Sequence, residues 1–461
     1  MKKKLFLSCS VLYLATCSFA GGLLTNTNQS VHFLRNPARG ASIEIDAAYT
    51  NPAGLAKLPF DGFHFAFTNQ SAAQTRTITS TFAPFAGFGG NPTKVFKGEA
   101  TAPIIPSLQA AYKKGKWVLS GNLSVSGGGG KATFNNGLSS FESTVAIVPV
   151  VLHNYSEAIN GYSTDSYMSG ASFIYGAQMG GTYSINDLFS AYAGFRLNIV
   201  NNSYEGYMIN DKIGFKGNLT PAGQVIAVNP AFSAFEPFVM DKNLDCTQGG
   251  WGITPILGFN FSYQQLNVGM KYEFKSSLNV ENKTKENTTG IDDFKNGVNT
   301  PHDIPALFSI GASYTFINAI TVSGGFHHFF DSDAKMANNK QKYIHGGTTE
   351  YLAGIEWKID KMFLISCGGQ ITRQGITDDY QSDLSFALNS YSLGFGGAVN
   401  VSPKVRINIG YFFTIYDDWT KQVADYGNIH QLSGKKIPAT QGKDVFSRTN
   451  KVFGAGIDFS F

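Results

Sequence analysis

The chain has 461 residues, 36 of them basic and 32 acidic, and without the Lys2-Lys3-Lys4 cluster the basic count falls to 33. A balance this close to neutral excludes a polybasic patch for nucleic acid or an anionic membrane surface, so no nucleic-acid partner is expected. Beyond position 20 only Cys246 and Cys367 remain, which is neither a disulfide framework nor a metal-ligand spacing, so no metal and no cofactor is expected.

Residues 1–20 carry the three lysines, an apolar run from Leu5 to Ala15, and Ser18-Phe19-Ala20 as a small-residue cleavage site. That is the pattern of a secretory signal peptide. Cleavage as a lipoprotein before Cys17 is disfavoured by Thr16. No later run of about 18 apolar residues offers a membrane-spanning helix. A secreted chain of this kind is either soluble or a membrane barrel.

Residues 21–58 follow as a leader. They contain Asn36-Pro37-Ala38 and Asn51-Pro52-Ala53, the second continued as Gly54-Leu55, with Glu44 and Asp46 between them. Asn-Pro and Ala-Gly are turn punctuation, so this stretch is expected to be compact and bent rather than one helix.

From residue 59 onward fourteen segments alternate with a period of two, the strand signature. Trp117, Leu119, Leu123 and Val125 oppose Ser120, Asn122, Ser124 and Ser126. Leu266, Val268, Met270 and Tyr272 oppose Asn267, Gly269, Lys271 and Glu273. Phe453, Ala455, Ile457 and Phe459 oppose Gly454, Gly456, Asp458 and Ser460. A soluble sandwich would show long charged side chains on its polar face. Here that face is Gly, Ser, Asn and Thr, and the apolar face ends in aromatics, as in an outer-membrane barrel. Closure also removes the sheet edges that lipid does not tolerate.

The connections give an independent argument. Those after even-numbered strands are short: 113–116, 184–188, 264–265, 317–319, 360–361 and 401–404. Those after odd-numbered strands are long: 69–106, 127–172, 200–256, 275–307, 331–350, 372–390 and 416–450. Short turns belong to the periplasmic side and long loops to the exterior, which puts both termini in the periplasm. The expected fold is all-β: a 14-stranded antiparallel transmembrane barrel over 59–461 with a short N-terminal hatch. The glycine run Gly127–Gly130 and Phe85–Gly90 are expected as loop tips, since neither joins a strand to a helix as a phosphate cradle does.

The leader, with Glu44 and Asp46 ahead of an Asn51-Pro52-Ala53-Gly54-Leu55 turn and a strand directly after, resembles the hatch of FadL/TodX-type outer-membrane transporters. The resemblance covers essentially the whole mature chain, in the barrel as pattern rather than as motif. It implies a plugged 14-stranded barrel that passes long-chain fatty acids or other hydrophobic molecules without an energy source. It implies protruding loops as a greasy landing site and a lateral exit at a kink in the third strand, where Gly121 is the weak point the sequence offers before the glycine run. The terminal Phe461 implies recognition by the barrel-assembly machinery. A monomer of the bacterial outer membrane, in contact with its lipid, is expected. The extra Asn36-Pro37-Ala38 has no place on the family pattern.

Several inward positions invite a ligand. Arg196 and Arg406 could each bind a fatty carboxylate through paired hydrogen bonds, or belong to an ion-pair ladder with Glu273, Glu356 or Asp458. Tyr192, Phe412 and Tyr416 would give a polar lumen apolar patches for a hydrophobic ligand, or pack against loops. His327 and His328 are strand neighbours on opposite faces, so they cannot share a metal. No Gly-x-Ser-x-Gly elbow is present, so no catalytic residue is assigned; a general porin, and less so a lipid hydrolase, are the competing readings. The loops at 127–172 and 200–256 carry apolar runs at 145–152 and 232–240. These either receive substrate from outside or pack on each other as a lid.

Overall fold

The computed structural model describes residues 30–87, 89–317, 319–426 and 440–461. The expected signal peptide, and the leader as far as residue 29, lie outside the described residues. The wall consists of β1 Gly62–Phe82, β2 Thr93–Lys114, β3 Trp117–Phe134, β4 Ile159–Ser184, β5 Phe189–Phe215, β6 Lys242–Tyr263 and β7 Leu266–Glu273. It continues through β8 Leu307–Phe316, β9 Ile320–Phe329, β10 Thr348–Lys358, β11 Phe363–Arg373, β12 Ser390–Ser402, β13 Val405–Tyr416 and β14 Gly442–Ser460. Each strand pairs antiparallel with the next, and β1 also pairs with β14 from His64↔Ser460 to Phe82↔Gly442. Fourteen strands thus close the wall, and four further short strands among the described residues pair onto its long-loop end.

Alternation sorts the side chains as the sequence implies. Trp117, Ile365 and Phe395 are exposed on the outer face, whereas Asn122, Gln178 and Asn408 are buried on the inner one. The start of β1 and the end of β14 meet at the short-turn end, where Phe63 N–H donates to the Phe461 carbonyl at 2.8 Å and Phe461 N–H donates to the Phe63 carbonyl at 2.9 Å.

The strands run well beyond the expected boundaries. β5 has 27 residues, whereas about 10 tilted residues cross a bilayer. The long connections therefore begin after Phe82, Phe134 and Phe215, not at 69, 127 and 200. Alternation fades where the lipid ends, because both faces then meet water or other loops. The β-branched run Thr75–Thr81 nonetheless favours a pleated strand. For the same reason Gly127–Gly130 is not a loop tip but part of β3. Phe85 and its neighbours do lie in the loop after β1.

Two packed regions fill the barrel. At the short-turn end sits the leader. Ser30 caps helix α1 Val31–Arg35 by accepting from Phe33 N–H at 3.4 Å, and Pro37 prevents the helix from continuing. Helix α2 Ala47–Thr50 and a 3₁₀ turn Pro52–Lys57 complete it. At the long-loop end helix α3 Ser139–His153 lies under the other loops. Of the two readings of the run 145–152, landing surface or lid, the burial agrees with the lid: Val148 and Leu152 are fully buried with Phe82, Phe134, Tyr204 and Phe446, and Phe232, Phe238 and Val239 of the second run join the same cluster. A helix apolar on all sides has to be enclosed, and the extended strands supply the enclosure.

Candidate functional site

The inner wall is small and polar because a folded chain lies against it. Inward side chains donate to carbonyls that the bent leader leaves open: Gln178 to Ala48 at 2.8 Å, Thr182 to Pro52 at 2.8 Å, Ser190 to Ala53 at 2.7 Å and Asn267 to Ala41 at 2.9 Å. Buried carbonyls without such partners would be costly. Asn51, at the turn, donates to Asn260 Oδ1 at 2.7 Å and to the Ser42 carbonyl at 3.0 Å. Pro52, Ala53 and Gly54 are fully enclosed beside it. Glycine in the wall allows this approach. A Cβ on Gly311 would come within 2.6 Å of the Gly40 carbonyl carbon.

The charged groups form two separate clusters. In the first, Arg39 binds Asp46 through Nε at 2.8 Å and Nη2 at 2.7 Å, and reaches Glu44 at 2.8 Å. Arg406 on β13 reaches the same Glu44 at 2.5 Å. Arg35 pairs with Glu356 on β10 at 2.5 Å, and His32 with Asp458 on β14 at 3.0 Å. The leader is thus tied to β13 and β10 by arginine–carboxylate ion pairs and to β14 by the His32–Asp458 hydrogen bond. His32, Glu44 and Asp46 have ligating atoms within 4.8 Å of one another. Guanidinium groups already face both carboxylates, which is the chemistry of an ion-pair cluster rather than of a metal site.

The second cluster holds Arg196. Its Nη1 and Nη2 make a two-pronged contact with Glu273 at 2.7 and 2.9 Å, and it also donates to Gln178. Lys271 joins Glu273 at 2.6 Å, and the Tyr49 ring of the leader lies against both cations, 4.6 and 4.7 Å from ring centre to charge. Of the two readings open for Arg196 and Arg406, both side chains occupy the ion-paired arrangement here, Arg406 with a partner the sequence did not suggest. Tyr192 packs with Ala53 and Ile256, and Phe412 with Phe33 at 5.6 Å between ring centres. Tyr416 lies higher in the lumen under Arg448. His327 pairs with Glu350 at 2.9 Å and His328 with Thr349 at 3.0 Å, on separate partners.

Above the leader, an apolar pocket opens beneath α3, lined by Phe141, Met168, Met208, Leu244 and Phe294 with Lys242 at its edge. Burial brings Lys242 down to about 8, and burial pushes the neighbouring Asp211 up to about 7. Neither residue stands out in the sequence, because the strands carrying them were read as loop. At the short-turn end a cavity of about 440 Å³ lies between the leader and the wall around Arg406.

The wall itself is interrupted. β2 and β3 pair from Lys114↔Trp117 to Leu108↔Leu123, and again at Glu99↔Thr133 and Gly98↔Phe134. Among the described residues, no ladder pairing joins 100–107 to 124–132. β3 bulges twice against β4 here, after Val125 and after Gly127, with Gly128 and Gly130 at φ +96° and +70°. Only glycine adopts such angles at no steric cost. Facing them, Pro103 and Pro106 lack the N–H that a ladder needs, and proline in sheets is confined to edges and bulges. The glycine run and the proline pair were the sequence signals for this opening; Gly121, by contrast, sits in regular pairing with Ala110.

Among solved structures, a FadL homologue from Pseudomonas aeruginosa superposes with a TM-score of 0.65 at 12% identity, covering 95% of this chain and 100% of that one. The fold is that of the FadL-type barrels. The Pseudomonas putida toluene transporter TodX follows at 0.52 and 15% identity, covering 90% and 94%. The Ralstonia pickettii toluene transporter TbuX gives 0.52 at 13% identity, covering 92% and 98%. No family model and no curated protein sequence matches the chain. With identities this low, what the FadL-type neighbours share with this chain is architecture.

Proposed function

We propose that this FadL-type barrel is a passive transporter of the bacterial outer membrane for hydrophobic compounds, with long-chain fatty acids as its substrates. The observation that carries the reading is a combination: the leader fills the lumen on the axis while the wall is unpaired beside it at 100–107 and 124–132. A solute entering from the long-loop end then leaves sideways into lipid. In this reading the short-turn end and both termini are periplasmic, and the exposed Phe461 is the signal to the barrel-assembly machinery of a monomer.

The leader from residue 21 to 58 acts as the hatch, turned into β1 by Asn51-Pro52-Ala53-Gly54. Glu44 and Asp46 hold it through Arg39, and Arg406 is the latch on Glu44. A substrate carboxylate that reaches Arg406 competes with Glu44 for the same guanidinium. Arg196, Tyr192 and Phe412 brace the hatch from the wall, and Tyr416 lies on the ligand path. The pocket beneath α3 takes the alkyl chain first, at about 0.8 kcal/mol per buried CH₂, with Lys242 at the carboxylate end. That two neighbours are toluene transporters supports the hydrophobic substrate class.

Liposomes containing the protein test the reading against a general porin. Saturable binding of a fluorescent fatty acid without sugar-driven swelling is expected. Rapid sugar passage with no fatty-acid binding would overturn it in favour of the porin.

A further inference from the structure

We propose that the short-turn end carries a docking surface for the headgroups of anionic phospholipids, built from lysines on the arc of wall that runs from β10 through the β14–β1 seam to β3. The proposal rests on the reading that this end faces the periplasm, where it meets the inner leaflet of the outer membrane.

The near-neutral total of the chain hides a separation of charge between its two ends. The turn between β2 and β3 holds Lys113, Lys114 and Lys116, the end of β10 and the turn after it hold Lys358 and Lys361, and the turn after β12 holds Lys404. The three other short turns, 184–188, 264–265 and 317–319, hold no basic residue, and the long connections carry more acids than basic residues. Positive charge is therefore confined to one arc of one end.

The acids on that arc are taken up by the backbone. Asp61 accepts from Gly115 N–H at 2.9 Å, and Asp360 accepts from Met362 and Phe363 N–H at 2.7 Å each. The terminal Phe461 oxygen accepts from Phe63 N–H at 2.8 Å. Lys113 is half-buried and donates to the Leu58 carbonyl at 2.5 Å. The other five lysines are exposed, and among the described residues none of them has an acid at ion-pair distance. The lysines that are so paired, such as Lys271, Lys275 and Lys285, lie elsewhere. The five charges thus serve no contact within the fold.

Aromatic side chains on the outer face decide what kind of partner fits. Lys114 is the cross-strand partner of Trp117, so the two leave the wall on the same side, and the Trp117 ring lies 4.6 Å from that of Tyr183. Phe63 follows against Tyr112 at 4.6 Å and against Phe461 at 5.6 Å. Beside the second group of lysines, Trp357, Phe363 and Val401 are exposed on the same outer face. There Asn400 donates to the Lys361 carbonyl at 3.0 Å, which holds the two lysine-bearing turns side by side. Aromatic belts of this kind sit at headgroup level. Lysines beside them lay their stems on apolar surface and keep the ammonium groups in water. A soluble acidic partner would meet the charges but leave the aromatics unused, whereas a phospholipid with a net negative headgroup meets both.

The test uses the full-length protein in detergent, titrated with palmitoyl-oleoyl phosphatidylglycerol or with phosphatidylcholine of the same chains, and counts bound lipid by native mass spectrometry. Assembly of each variant is checked by heat-modifiable mobility. Phosphatidylglycerol is expected to bind about tenfold or more tightly than phosphatidylcholine, and to lose that preference in high salt. Lys114→Gln with Lys116→Gln, and separately Lys361→Gln with Lys404→Gln, are expected to weaken phosphatidylglycerol by about fivefold or more and to leave phosphatidylcholine within about twofold. Lys283→Gln with Lys342→Gln, exposed at the long-loop end, is expected to change neither. If one short-turn pair does not assemble, the other decides. Equal binding of the two lipids, or a preference that survives the short-turn substitutions, overturns the surface. Full displacement by an equal concentration of glycerol 3-phosphate also overturns it, in favour of a site for a small anion. Maleimide labelling of Lys116→Cys on cells judges the orientation separately. Labelling from outside overturns the periplasmic reading and the inner-leaflet surface with it. Labelling only after permeabilisation, together with no lipid preference, overturns the surface alone.

Discussion

Gly311 shows how a single residue sets how closely the leader can lie against the wall. A Cβ there would come within 2.7 Å of Gly40 Cα and 2.8 Å of Ala41 N, which are backbone atoms that cannot rotate away. Gly311→Val keeps the β8 pairing with β7 and β9, since valine favours strands. It is expected to push the leader off the wall, raising single-channel conductance for small ions while the barrel's thermal stability changes by no more than about 1 kcal/mol. Conductance equal to that of the native protein would show that the leader tolerates the displacement. At this scale the sequence was informative about direction and, for Arg196, offered the partner Glu273, but it did not offer the partner of Arg406. Strand parity alone places Arg196, Arg406, Tyr192 and Phe412 inside. That Arg406 meets Glu44 depends on a contact 362 residues apart, which alternation cannot encode. The leader arginines Arg35 and Arg39 went unremarked because a bent segment has no period from which to read a face.

Among the elements, the extent of the strands around the α3 cap differs most from its expectation. The run 145–152 was read correctly as apolar, but its enclosure depends on strands that continue past the lipid, where alternation no longer marks them. The same continuation hid Lys242, and it moved the glycine run from a loop into β3. The cap also contains carboxyl groups whose burial has a consequence for pH. Asp444, which accepts from Ser80 at 2.5 Å and Tyr426 at 2.8 Å, is pushed up to about 6 by burial, and Asp211 to about 7. Both folded values lie above the unfolded value of 3.8, so the folded cap binds protons more tightly than the opened one. Their contribution to cap stability is therefore fully present below about pH 4 and is lost as the pH rises through about 6 to 7. Amide exchange in α3 is expected to be slower at pH 5 than at pH 8. Asp211→Asn, neutral at every pH, is expected to reduce that difference. A cap whose exchange, corrected for the intrinsic pH effect, is the same at both values would contradict the assignment.

For the whole molecule, strand number, closure and the alternation of short and long connections were legible because lipid imposes one rule on every strand. The opening between β2 and β3 is a departure from that rule, and it is written in the residues least suited to a ladder, Pro103, Pro106 and Gly127–Gly130. The relation between opening and leader gives the last prediction. Removing residues 23–50 leaves the nineteen-pair closure of β1 with β14 intact, so the barrel is expected to assemble. It also takes away Arg35, the partner of Glu356, and His32, the partner of Asp458. Stripping one partner from a buried ion pair ordinarily costs about 3–5 kcal/mol. Here the emptied lumen admits water to both carboxylates, so the cost falls well below that range. Conductance for small hydrophilic solutes is expected to rise, because the leader no longer fills the short-turn end and only the cap around α3 remains across the axis. Fatty-acid uptake is expected to persist but to lose its preference over hydrophilic solutes, since the wall opening remains. A truncated barrel that assembles, conducts no more than the native one and takes up the same solutes would show that the leader is no hatch, and that the lumen is closed by the cap alone.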